Sequence, residues 1–401
     1  VDPDILKSSF AVVERRAEFA VTYFYAHLFR HHPELRALFP TDFPEDMERQ
    51  RDRLFAALTV VVERLDDPGL PAYLRDLGRD HRKYLARPDH YAAVGTSLVA
   101  AFAAVAGPSW SAETEKAWWE AYRVIADLML QGAGEAGHRG EPAWWDADVV
   151  ARTRHGDDVA VLTLRPRQRL THTAGQYVGV NVPRLHGIWR PYSLANAPRP
   201  DRTLDLHVSR VEGGVLSTAL VRQTRVGDVL RLGAPGGRLA LRTPADRPLT
   251  LIAAGTGWAP VKALLEQLEP AHEARLFLVA RDIAHLYDQG SVDRLSARLP
   301  RLTVTPITPA PGRPRTQATE RLLTALGNRA GWERHDVYLA GPPGLVETVA
   351  GTLPALGTPA GRIFHDLLPP AGGSRPLGAA EWLLDRPRPS WHNPAARAPE
   401  D

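Results

Sequence analysis

The hydrophobic period of this chain changes twice, and no single bundle or sheet can absorb both changes. Up to about residue 137, apolar residues recur at steps of three and four. Phe10, Val13, Ala17, Val21, Phe24 and Leu28 mark the buried stripe of one long helix. From about Asp146 the period becomes two, the signature of half-buried strands. From Pro248 short apolar runs alternate with helical patterns, which implies a parallel sheet. The expectation is three folds in series: an all-α unit over 1–137, an antiparallel β-barrel over 146–246 and an α/β parallel-sheet unit over 247–370. The Gly-rich run 132–145 (GAGEAGHRGEPAWW) reads as the linker, set at 138–145, and 371–401 as a flexible tail.

The helical unit reads as roughly six helices. Pro33 opens a short second piece that ends near Pro40, and further patterns cover about 46–65, a face of Leu74, Leu77, His81 and Tyr84, then 91–106 and 112–130. The chemistry open to it is narrowed by one absence: the chain has no cysteine. That excludes disulfides, thiolate-ligated iron–sulfur clusters, covalent Cys-x-x-Cys-His haem attachment and a catalytic thiol. Any metal must be held by His, Tyr or carboxylate. Charge is nearly balanced at +3 over 401 residues, with arginines scattered, so no nucleic-acid partner is expected. No membrane span or signal peptide is read from the pattern, and a cytoplasmic location is expected.

Six strands are expected in the barrel: Val149–Arg154, Val159–Arg165, Tyr177–Val182, Ile188–Leu194, Leu204–Val211 and Val229–Leu232. The fourth carries Arg190-Pro191-Tyr192-Ser193. Residues two apart on a strand share a face, so Arg190 and Tyr192 point one way and Ser193 the other. A cation for a pyrophosphate, a flat ring beside an isoalloxazine and a hydroxyl near its N5 are what a flavin dinucleotide asks for. Ala174–Val178, with Tyr177, precedes this strand. Gly213-Gly214-Val215-Leu216-Ser217 follows it, opening a helix expected over 216–222 whose N–H groups suit a pyrophosphate. In that order these motifs resemble the FAD domain of the ferredoxin reductase family, implying FAD contacts at Tyr177, Arg190, Pro191, Tyr192, Ser193, Gly214, Val215 and Ser217.

In the third unit, strand Leu249–Ala253 runs into Gly255-Thr256-Gly257-Trp258-Ala259-Pro260 and a helix over 261–268. A Gly-x-Gly between strand and helix is a phosphate loop. Strands follow at 275–280, 302–305 and 337–340, the last leading into Gly341-Pro342. Under the same resemblance, Gly255, Thr256, Gly257, Pro260, Gly341 and Pro342 bind NADH or NADPH. Arg281, after the second strand, sits where 2′-phosphate readers occur, and neighbouring Asp282 argues for NADH. Ala340 stands where many relatives have cysteine.

The helical stretch Phe24–Phe39, with Gln50–Phe55, His81 and Pro88–Tyr91, resembles the globin domain of flavohaemoglobins. The resemblance implies a haem b whose iron His81 ligates, a distal polar pair Tyr25 and Gln50, Leu54 as distal apolar wall, Phe39 against the porphyrin and Tyr91 beside the proximal histidine. Three positions depart from the family. The proximal carboxylate position falls on Ala133, leaving Glu135 to serve only if the helix end is distorted. Asp80 stands where related sequences often place a lysine facing the flavin domain, and Leu368 where an aromatic usually covers the flavin. As a whole the chain resembles a flavohaemoglobin, implying electron flow from NAD(P)H through FAD to haem and nitric oxide dioxygenation, with Tyr25, Gln50 and Tyr91 as catalytic residues. A haem-based oxygen or redox sensor, or a flavin reductase for external acceptors, are the alternatives. Dioxygen, nitric oxide and NAD(P)H are the expected partners of a monomer or weak dimer.

Overall fold

The structure is a computed structural model and describes residues 2–39, 54–55, 57–242 and 247–366. Gln50, Leu368 and the tail from 371 lie outside the described residues.

Among the described residues the first unit contains α1 (Pro3–Glu14), α2 (Ala17–His31), a short 3-10 turn (Pro33–Leu38), α3 (Leu70–His81), α4 (Pro88–Ala106) and α5 (Ala112–His138). Asp2 caps α1 and Ser111 caps α5, each side chain accepting a backbone N–H of the first turn. The apolar stripes meet in one cluster built from Leu6, Phe10, Phe24, Leu28, Phe102 and Trp118. α4 and its terminal turn (Pro88–Ser109) have the length and apolarity of a membrane span, which the sequence reading overlooked. Here α4 contributes Leu98, Val99, Ala101, Phe102 and Val105 to the helical core.

α5 overturns the Gly-rich loop reading of its own end, because it runs on to His138 through Gly132, Gly134 and Gly137. The reason is a close crossing with α3. A Cβ at Gly132 would lie 2.0 Å from the Arg75 carbonyl oxygen, and one at Gly78 would lie 1.9 Å from that of Met129. Packing between the backbones offsets the helix penalty of glycine, about 1 kcal/mol relative to alanine.

The second unit is a six-stranded antiparallel sheet in the order β4-β3-β6-β1-β2-β5. Its strands are β1 (Trp145–His155), β2 (Val159–Pro166), β3 (Tyr177–Asn181), β4 (Arg190–Ser193), β5 (Leu204–Ser209) and β6 (Val229–Leu232). A bridge between Leu194 and Leu206 joins its two ends into a barrel. Val178, Val180, Leu162, Leu164, Leu206 and Leu232 fill the interior. Trp145 docks as expected, its indole N–H donating to the Arg169 carbonyl at 3.1 Å. The helix expected at 216–222 is only Val215–Thr218, followed by a wider π turn over Ala219–Gln223.

The third unit is a parallel sheet ordered β11-β10-β7-β8-β9. It is formed by β7 (Leu249–Ala254), β8 (Ala274–Val279), β9 (Leu302–Ile307), β10 (Asp336–Ala340) and β11 (Ile363–His365). β11 is an edge strand that sequence reasoning missed, since only three residues pair. Helices cover both faces and bury two apolar clusters, one under Val261, Leu264 and Leu265 and the other under Leu322, Val346 and Val349.

Candidate functional site

The helical unit brings Tyr25, Phe39, Leu54 and Tyr91 to one apolar cluster. Tyr25 is buried on α2 and meets Phe39 edge-to-face at 5.5 Å and Phe24 at 4.9 Å. Burial pushes the Tyr91 phenol up to about 12, so it is a neutral hydroxyl at any physiological pH. Tyr91 also accepts the Tyr122 hydroxyl on its carbonyl at 2.5 Å, which fixes α4 against α5.

His81 is the last residue of α3. Its Nδ1 lies 2.8 Å from the Leu77 carbonyl oxygen, one turn back. A carbonyl only accepts, so Nδ1 carries the proton and Nε2 presents its lone pair. Burial lowers the His81 pKa more than the Asp80 charge raises it, which keeps the ring neutral. A neutral imidazole with Nδ1 held by a backbone carbonyl is a donor set that fits a haem iron.

The proximal carboxylate question has a geometric answer. Glu135 is exposed on α5 and accepts from Gln131 Nε2 at 2.9 Å, so the helix end is not distorted to bring it to His81. With α3 and α5 in backbone contact at Gly78 and Gly132, the Leu77 carbonyl takes the Nδ1 proton instead.

In the barrel, β3 and β4 pair with Tyr177 opposite Ser193, Val178 opposite Tyr192, Gly179 opposite Pro191 and Val180 opposite Arg190. Arg190 is buried, with one guanidinium nitrogen donating to the Trp189 carbonyl at 2.9 Å. Desolvation lowers its pKa and raises that of the Tyr192 phenol beside it. Gly214 precedes Val215–Thr218. A Cβ there would lie 2.6 Å from Ser217 Oγ, which itself accepts the Val211 N–H at 3.1 Å. Ser217 therefore shapes the turn from within, while Val215 is exposed.

The two glycine loops of the third unit touch. A Cβ at Gly257 would lie 2.2 Å from the Ala340 carbonyl oxygen and 2.7 Å from Gly341 N, so only glycine lets Gly255-Thr256-Gly257 reach Gly341-Pro342. Helix α6 (Trp258–Glu266) leaves the first loop with Pro260 in its first turn, and its Lys262 Nζ donates to the Ala195 carbonyl at 2.9 Å. Ala195 lies two residues beyond Ser193, so the nucleotide loop is anchored next to the flavin strand.

Sequence reasoning missed several groups here. Arg281 Nη2 is 3.1 Å from Asp158 Oδ2, and Asp158 also binds Arg210 at 2.8 Å. His207 shares a hydrogen bond with the Tyr287 hydroxyl at 2.9 Å. Asp366 accepts the backbone N–H groups of Arg238 and Leu239, and burial raises its pKa. These partners stand 52 to 128 residues apart, and no local pattern joins them.

Three family models cover the chain: globin over residues 22–129, oxidoreductase FAD-binding domain over 146–241 and oxidoreductase NAD-binding domain over 251–351. The flavohemoprotein of Chromobacterium violaceum is 29% identical over 93% of this chain and 97% of its own. That of Rhizobium meliloti is 30% identical over 66% of this chain and 70% of its own. Among solved structures, the flavohemoglobin of Malassezia yamatoensis superposes with a TM-score of 0.74 at 20% identity, covering 91% of this chain and 97% of that one, a likeness of fold. The Amycolatopsis cytochrome P450 reductase GcoB matches 57% of this chain and 70% of its own at a TM-score of 0.51 and 29% identity. With its globin, FAD-binding and NAD-binding domains in one chain, this protein belongs to the flavohaemoprotein family.

Proposed function

We propose that the chain is a nitric oxide dioxygenase, converting two nitric oxide and two dioxygen molecules with one NAD(P)H to two nitrate ions, NAD(P)⁺ and a proton. The observation that carries this reading is the His81 tautomer: Nδ1 is bound to Leu77 O, which leaves Nε2 with the lone pair that would hold a haem iron. When bound, the haem supplies the iron centre at which the two gases react. His81 would hold that iron, Tyr25 and Gln50 would supply polar groups for the bound gas, and Phe39 and Leu54 would supply apolar ones.

The rest of the chain resets the iron. Arg190 would neutralise the FAD pyrophosphate, Tyr192 would supply a flat ring beside the flavin, and Ser193 would supply a hydroxyl for its reactive edge. The loops Gly255–Gly257 and Gly341-Pro342 hold the nucleotide so that its hydride faces that edge. A globin that only stored oxygen would have little use for a reductase fused to it, whereas a dioxygenase needs one electron per turnover.

The test is nitric oxide consumption followed with an electrode, scoring nitrate against NAD(P)H oxidised. Dioxygen-dependent consumption yielding one nitrate per nitric oxide is expected. NAD(P)H oxidation indifferent to nitric oxide, with no nitrate, would move the assignment to a sensor or general reductase. His81→Ala should abolish the Soret band while FAD stays bound and reducible.

A further inference from the structure

Two residues after His81, the chain buries a cation. The Lys83 side chain is only 3% exposed, and its Nζ lies 2.6 Å from both carboxylate oxygens of Asp80. Burying an ammonium costs several kcal/mol unless it is paired, and Asp80 is its charged partner. The rest of its surroundings come partly from the other unit. Nζ stands 5.2 Å from the centre of the Tyr84 ring and 5.6 Å from that of Trp189, both within cation–π range.

The socket is made of glycine. A Cβ at Gly179 on β3 would come 3.4 Å from Lys83 Nζ, and one at Gly233 after β6 would come 3.5 Å from Lys83 Cδ. Neither glycine has a positive φ, so the backbone does not require glycine at either place. At these distances a methyl group would sit in ordinary van der Waals contact with the lysine, and a larger side chain would press on it.

The peg therefore joins two anchor points. Along the helical chain it is two residues from His81. Across the junction it touches Gly179, the strand partner of Pro191, and the ring of Trp189, which immediately precedes Arg190. We propose that Lys83, clamped by Asp80 and seated in the Gly179–Gly233–Trp189 socket, is a positioning residue that sets the separation of the haem-binding and flavin-binding elements for electron transfer. This rests on the reading that His81 and Arg190 serve haem and FAD. It also gives Asp80 a part: the carboxylate holds the junction cation one helical turn further on.

Lys83→Met keeps the stem and removes the charge, and Gly179→Val fills the socket from the barrel side. In anaerobic stopped-flow with NADH, both variants should reduce flavin within twofold of the native rate. Reduction of the haem should slow about tenfold or more, since small misplacements of reacting groups cost up to about a hundredfold. Amide exchange at 177–181 and 229–233 should rise, while that at 249–254 stays unchanged. Haem reduction within twofold of native in Lys83→Met overturns the proposal, as does an equal fall in flavin and haem reduction. If a variant fails to fold, Asp80→Asn and Gly233→Val carry the same two-step comparison. A native protein purified with no Soret or flavin absorbance would remove the underlying reading, and the proposal with it.

Discussion

The barrel meets its two neighbours in different ways. Toward the NAD-binding unit the contact is continuous with a core: Ala174 and Leu239 of the barrel side belong to the same apolar cluster as Leu251, Val261 and Leu264. Around it run bonds to backbone groups, from Lys262 to Ala195 O and from Arg238 and Leu239 N–H to Asp366. Toward the helical unit, the described residues share no apolar cluster with the barrel. There the described contacts include Lys83 in its socket and, on the connecting segment, Glu141, whose carboxylate accepts from Arg79 and whose backbone carbonyl accepts from Arg82, both at 2.6 Å. The contrast suits the chemistry. Hydride transfer needs two rings fixed in van der Waals contact, and a shared core supplies that. Electron transfer tolerates a wider gap, so a few polar contacts that fix the separation suffice.

The largest break is expected at the shared core. Lys262→Met removes the donor to the Ala195 carbonyl and the cation 2.6 Å from Glu266 Oε1, leaving Glu266 with Arg199 at 3.9 Å. Removing one partner of a buried pair costs roughly 3–5 kcal/mol, reduced here because Glu266 is about a quarter exposed. Thermal unfolding followed by flavin fluorescence should show FAD released at a clearly lower temperature, with the helical unit's own transition unmoved. Coincident lowering of both transitions would mean that the two junctions are not independent.

A smaller effect is expected on the flavin strand itself. Arg190→Ala removes a charge-assisted pyrophosphate contact worth about 1.5–3 kcal/mol, so FAD should dissociate roughly ten- to a hundredfold more readily. Ser193→Ala should instead slow flavin reduction with little loss of FAD. Equal FAD content and equal reduction rates in both variants would remove this strand from the site.

The contrast between junctions was invisible in the sequence, though the units were not. Periodicity located the six barrel strands and four of the five parallel strands because each buries one face or both. The family resemblance, not the period, put Tyr25 with Phe39, and the strand–loop–helix setting marked the glycine loops. Local composition misread 132–138 as linker, since glycine in a helix signals a break unless a second backbone lies against it, and Met129 and Arg75 are more than 50 residues from their partners. Lys83 drew no reading from the sequence, where it stands among Arg82, Tyr84 and Arg87. Its i−3 spacing from Asp80 was the one local signal, and nothing local reveals Gly179 and Gly233. Asp158 and Arg281 are 123 residues apart.

The shared core should also impose a pH dependence. His207 is buried at the barrel–NAD junction and its pKa is lowered to about 4, by desolvation first, with Lys262 and His155 adding to it and Asp288 and Asp205 opposing. A histidine with a depressed folded pKa contributes stability that is present above its unfolded value, near 6.5. That stability is lost as the pH falls toward 4, because the unfolded chain takes up the proton first. Denaturant titrations at pH 7, 6 and 5 should show the reductase part losing on the order of 1–3 kcal/mol. His207→Gln should flatten that slope, and an unchanged slope would show that His207 is not the titrating group.

The smallest effect expected concerns the choice of nucleotide, and it tests whether a junction residue can double as a reader. Arg281 follows β8, the second strand of the parallel sheet, where an arginine accommodates a 2′-phosphate in NADP-binding relatives of such folds. Here it is committed to Asp158 of the barrel and contacts His285. His285 in turn is held by Asp282 at 2.5 Å. Two carboxylates thus face the position a 2′-phosphate would take. A dianion arriving there must displace Asp158 from Arg281 and remain close to the acid it displaced. NADH should therefore be the better hydride donor. Asp158→Asn keeps the hydrogen-bonding shape while removing one repelling charge and freeing the guanidinium. Exposed pairs are weak, so the gain is bounded: kcat/KM for NADPH should rise about fivefold at most, with that for NADH nearly unchanged and the difference shrinking in high salt. A fall with both nucleotides would show that Asp158 only holds the junction together. No change with either would show that Arg281 lies outside the reach of the ribose.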